Sequence, residues 1–143
     1  FEEYKNGTLI LNIKEAGIEV EVLNLIKKNK IKSYFLLDVE IPFLFKAMNE
    51  NIKDIAVRFS EYEPINFCQQ FKNIFNWVWI DTPNILPINK NNNDKLSSFK
   101  KCLVCPERWN RVDQIVTYKN FLKENNIEID AVMTSLKTSK YWI

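Results

Sequence analysis

The sequence predicts an α/β fold with a parallel sheet. Short apolar runs recur along the chain, each closed by polar residues, and helical spacing of apolar residues returns between them. An apolar run closed in this way reads as a buried parallel strand whose C-terminal tip carries polar groups. Strands that alternate with helices imply a parallel sheet with right-handed crossovers. Six such units fit in the 143 residues, which suit one domain with a real core and are too few for two. Two architectures meet the pattern. One is an open doubly wound sheet. The other is most of an eight-unit barrel lacking its first two units, since a whole barrel needs at least about 200 residues.

The chain opens on FEEYKNG, read as the tail of a helix running into a turn at Gly7. It does not begin at a methionine, so a longer protein is expected upstream. Thr8–Lys14 (TLILNIK) is the first strand, and Glu15-Ala16-Gly17 turns the chain. Ile18, Val22, Leu25 and Ile26 then fall on one face of a helix over 18–29, whose closing lysines suit the negative end of its dipole. Tyr34–Val39 is the second strand, and Pro42 stands near the start of a helix over 42–50, where proline is tolerated. Asp54–Phe59 is the third strand, and Pro64 marks a helix over 65–73.

Asn76–Ile80 (NWVWI) is the fourth strand. The Pro- and Asn-rich TPNILPINKNNND that follows reads as a loop able to lie over a site, with a short helix over 93–99 after it. Lys101–Cys105 is the fifth strand. Asn110 is placed to cap a helix over 111–125, and Ile129–Met133 is the sixth strand.

Composition removes several function classes. Net charge is +2, from 20 basic and 18 acidic residues, which gives no electrostatic reason to expect nucleic acid. No apolar run reaches the roughly 18 residues of a membrane helix. There is no histidine, so acid–base work within these residues falls to carboxylates, lysine or water. Two isolated glycines build no phosphate-cradling loop. Three cysteines form no disulfide framework and indicate a reducing compartment, read here as cytoplasm.

In either architecture ligands bind at the C-terminal ends of the strands. The tips carry Asn12, Lys14, Asp38, Glu40, Arg58, Ser60, Glu61, Asp81, Glu107, Arg108 and Thr134. Lys14 stands out, because an ammonium at an apolar strand tip needs an anion. Asn12, two positions back, shares its face, so a phosphate or metal–phosphate pair fits there. An ion pair of Lys14 with a tip carboxylate such as Glu61 is the alternative. Trp77 and Trp79 share a face as core or as an aromatic wall, with Trp79 nearer the mouth. Cys102 and Cys105 have metal-pair spacing but fall on opposite faces of a strand.

In order, LNIKEAGIE, FLLDVEIPFL, VRFSEYEP, WVWID, LVCPERW and IDAVMTS resemble the C-terminal two-thirds of the glycerophosphodiester phosphodiesterase family, among the phosphatidylinositol-phospholipase-C-like barrels. The likeness spans nearly all of 8–143 and is closer to small bacterial members found among surface-polysaccharide genes. It implies a (β/α)8 TIM barrel represented by about six units, and metal-assisted cleavage of a phosphodiester by histidines upstream of Phe1. It implies that Lys14 is the lysine of the third-strand Glu-x-Lys motif, acting in catalysis. Asn12 then stands where a metal-binding glutamate is usual, toward Mg²⁺ or Ca²⁺. Arg58, Ser60, Glu61 and Trp79 would line the pocket for a small phosphodiester substrate. A non-catalytic pseudoenzyme or sugar-phosphate binder is the alternative implied by Asn12 and the missing histidines.

Overall fold

The computed structural model describes residues 7–143, and the expected helix tail at the start lies outside them. The strands are β1 (Leu9–Asn12), β2 (Tyr34–Leu37), β3 (Ala56–Phe59), β4 (Trp77–Ile80), β5 (Lys100–Val104) and β6 (Ala131–Met133). The helices are α1 (Glu19–Lys28), α2 (Ile41–Asn49), α3 (Ile65–Gln69), α4 (Lys90–Asn93) and α5 (Ile115–Glu124). Pro42 sits in the first turn of α2, where its missing N–H leaves no bond unmade. The segment expected to be helical over 93–99 instead opens at Lys90, because Asn89 and Asn92 form a reciprocal cap. Asn110 caps nothing forward. It adopts φ 59° and closes the 3-10 turn Pro106–Trp109, and a second 3-10 turn, Val112–Gln114, leads into α5 at Ile115.

The strands pair in parallel as β1-β2 and as β3-β4-β5-β6, in chain order. Among the described residues the ladder between the two sheets is the single bridge Leu36 to Ile55, beside a backbone bond from Leu36 N–H to the Asp54 carbonyl at 2.9 Å. The (β/α)8 barrel expected above is not what these residues form. Closure requires every strand to be paired on both sides. Among the described residues β1 and β6 each pair on one side, and the β2–β3 seam is a single bridge. Strand order never reverses, so a doubly wound sheet with a switch point is absent as well.

Side-chain alternation gives the sheet two apolar faces. Leu36, Ile55, Val57, Phe59, Val78, Ile80 and Leu103 face the helices, where Leu44, Ala47, Phe71, Phe75, Ile88 and Leu122 complete the main core. Phe35, Leu37, Ala56, Trp77, Trp79, Cys102 and Val104 form a second cluster on the opposite face, with Ile10 and Met133 packed against it. Burial of both faces explains why the strands read as unbroken apolar runs.

The second cluster shows that the sheet curls. Strands two apart in a flat sheet are separated by roughly 9.5 Å. The rings of Phe35 in β2 and Trp77 in β4 nevertheless lie 4.8 Å apart. They meet because Ala56, paired with Trp77, gives β3 a small inward residue there. The three cysteines are free and buried, and desolvation pushes the thiols of Cys68 and Cys102 up to about 12.

Ala56→Leu is expected to drive those rings apart and cost about 1–3 kcal/mol, read from the urea unfolding midpoint. A neutral result would mean that the inner face is not close-packed.

Candidate functional site at the strand tips

Every strand ends toward one cavity of about 310 Å³. Its polar lining is Asn12, Lys14, Arg58, Asp81 and Arg108. Its apolar lining is Ile10, Leu37, Trp79, Val104, Trp109 and Met133. The volume is at the small end of ligand pockets.

A relay of polar contacts crosses the tips. Lys14 after β1 donates to Asp38 at 3.4 Å. Asp38 follows β2 directly and accepts from Arg58 Nε at 2.6 Å. Arg58 in β3 donates through Nη1 to Asp81 after β4, also at 2.6 Å. Asp81 accepts further from the Thr82 backbone N–H at 2.9 Å and from the indole N–H of Trp109, beyond β5, at 3.2 Å. Glu63 flanks Arg58 at 3.9 Å.

The chain follows from where each strand stops. Asp38 takes φ 60°, a left-handed conformation that aspartate tolerates better than most residues, and this turns its carboxylate back across the tips. Asp81 is fixed from the other side. Arg111 donates to the carbonyl oxygens of Thr82 and Asn84 and to Tyr118, which ties the loop after β4 to α5. Thr82 also donates its hydroxyl to Val104 at 3.1 Å.

Burial alone would raise the Asp38 carboxyl. The hydrogen bond and charge of Arg58, then the contacts of Lys14 and Asn12, outweigh that and hold it below the usual carboxylate value. Burial would likewise lower Arg58, but Asp38 first, then Asp81 and Glu63, raise it. The charges of Asp38 and Arg58 are therefore fixed at neutral pH.

The sequence-predicted residues divide. Asn12, Lys14, Arg58 and Trp79 converge on the cavity, joined by Asp81 and Arg108 from the wider set of tips. The Lys14 partner is Asp38 and not Glu61, and its side chain stays 75% exposed. Ser60 and Glu61 do not reach the cavity lining. The Ser60 hydroxyl donates to Glu63 at 2.7 Å and accepts from two backbone N–H groups in its own turn. Glu61 accepts from Asn84 on the loop surface. Glu107 and Thr134 belong to a neighbouring hollow of about 760 Å³ that shares Arg108 and Met133. There Glu107 accepts from Thr134, Ser135 and Thr138, so its oxygens already have donors.

The sequence reading missed Trp109 and Glu63. An aromatic beside Arg108 on the turn after a strand was the available signal for Trp109. The expected cover, the loop over 82–94, contributes no lining residue to the cavity, whereas Trp109 does.

No family model, curated protein or solved structure matches this chain. The likeness to glycerophosphodiester phosphodiesterases rests on the residues quoted above alone. Among the described residues no helix is long and apolar enough to cross a membrane.

The donor set does not fit the divalent cation that the likeness implied. Hard cations collect several oxygens, usually from more than one free carboxylate. Here the two carboxylates at the mouth are taken up by Arg58, and Asn12 is turned to one of them. No group of three or more acidic or cysteine side chains is placed to hold a metal among the described residues.

A carboxyl held below its usual value adds stability above that value and loses it as pH falls through the folded value. Stability should therefore drop as pH falls below about 4. Asp38→Asn should flatten that slope in urea unfolding followed from about neutral pH to about pH 3. Glu107 is also held low, by its hydrogen bonds from Thr138, Ser135 and Thr134, so the difference between the two proteins is the informative quantity. An unchanged slope in Asp38→Asn would remove Asp38 from the account.

Proposed function

We propose that the strand-tip cavity binds a small phosphodiester or sugar-phosphate headgroup, with Lys14 and Arg108 taking the phosphate oxygens. The observation that carries this reading is the charge left over at the mouth. Three cations line it against one lining carboxylate, Asp81. Arg58 is committed to Asp38 and Asp81, whereas Lys14 is held by one 3.4 Å contact and Arg108 pairs with no carboxylate among the described residues. Lys14 leaves β1 and Arg108 follows β5, so the two cations approach an anion from different strands. Trp79 and Trp109 offer aromatic surface to the carbon skeleton of the ligand.

The likeness of motifs extends the reading to a phosphoric diester hydrolase acting on glycerophosphodiesters. For the 143 residues themselves the binder reading is the better supported. They hold no histidine, and the Asp38 carboxyl is held low by its pairing with Arg58, which leaves it unsuited to donate or accept a proton near neutral pH. Hydrolysis by a longer protein containing this chain would draw its acid–base residue from elsewhere. Lys14 would then offset charge developing on the phosphate.

Lys14→Ala and Arg108→Ala should each weaken glycerol 3-phosphate binding about tenfold or more, the worth of a charge-assisted hydrogen bond. Tryptophan fluorescence titration reads this, with circular dichroism confirming the fold. Equal affinity in both variants and the parent chain would overturn the reading. Glycerophosphocholine turnover by this chain is expected to be nil, and sustained turnover would restore the hydrolase reading.

A further inference from the structure

We propose that Arg58 is the resident cation of this mouth: its guanidinium stands between Asp38 and Asp81, where a bridging metal ion would have to stand, so the cavity takes its anion without a metal. This deepens the binding reading above and rests on it for the ligand arm alone.

The two aspartates leave β2 and β4, the strands on either side of β3, and both turn inward to the residue that β3 places between them. Each contact is 2.6 Å, as close as charge-assisted N–H to carboxylate bonds come. Arg58 keeps 27% of its side-chain exposure, while Asp38 keeps 23% and Asp81 11%. A divalent ion entering here would have to displace the guanidinium from both oxygens. It would also leave a half-buried arginine without partners and in repulsion with the ion. Asn12 does not rescue the site, because it brings one neutral amide and no further carboxylate.

The chemistry points the same way. Arginine stays protonated at any accessible pH, so the positive charge in the mouth is permanent and needs no loading step. Its two aspartate contacts use two of its N–H donors and leave others for a ligand oxygen.

The test uses thermal unfolding of the whole chain with Mg²⁺, Ca²⁺ or EDTA alone, at matched ionic strength. The parent chain should show no saturable shift in Tm, and Mn²⁺ should not selectively broaden the indole N–H signals of Trp79 and Trp109. A saturable rise or selective broadening in the parent chain would overturn the proposal. Arg58→Gln frees both aspartates and should acquire a saturable Tm rise with Mg²⁺ or Ca²⁺. A folded Arg58→Gln that ignores both ions would also overturn it. Should Arg58→Gln fail to fold, the Mn²⁺ measurement on the parent chain decides alone. In the ligand arm, inorganic phosphate should bind with the same Kd, within about twofold, in EDTA and in Mg²⁺. A tighter Kd in Mg²⁺ contradicts the proposal. Absence of phosphate binding in either condition would defeat the ligand reading and leave the metal measurements to stand or fall by themselves.

Discussion

The Arg58 guanidinium is the piece on which the arrangement of the strand tips depends. Among the described residues the two sheets share one ladder bridge between β2 and β3, so backbone hydrogen bonding joins them sparsely. The pair between Arg58 and Asp38 spans that same seam at its C-terminal end. The pair with Asp81 then anchors β3 to the loop after β4. Taking charges partly out of water is unfavourable, and only close, well-directed partners offset it. The raised arginine and the lowered aspartate record that the partners prevail. Apolar packing makes the sheet curl, and the ionic relay fixes what its rim presents.

Much of this was legible in the residues. All six strands lie where apolar runs stop at polar residues, because both faces of the sheet are buried and neither shows alternation. Helix starts at Pro42 and Pro64 followed from the fixed backbone angle of proline. Arg58, Lys14, Asn12 and Trp79 converge because side chains at alternate positions of parallel, adjacent strands share a face.

What was not legible depended on contacts between distant residues or on local backbone chemistry. Ser60 looked like a tip residue but is consumed by the turn it stabilises, since a serine hydroxyl reaches nearby N–H groups more readily than a distant ligand. The Lys14 partner could not be chosen among several tip carboxylates until the left-handed turn at Asp38 was known. Asn110 has the chemistry of a helix cap and of a left-handed turn residue, and the second role prevailed. The closed barrel was inferred from motif order, but closure is a property of the first and last strands pairing. No single segment encodes it, and here the described strands leave it unmade.

The buried cysteines have a practical consequence. A thiol that must reach about 12 before it ionises presents almost no thiolate near neutral pH, and none of the three reaches solvent in the folded chain. Alkylating reagents can therefore attack only when the surrounding core comes apart. Cys68 packs among the helices and Cys102 on the inner face, so the two label separate halves of the interior. Their relative modification rates provide a native clock for whether the two layers open together or one before the other.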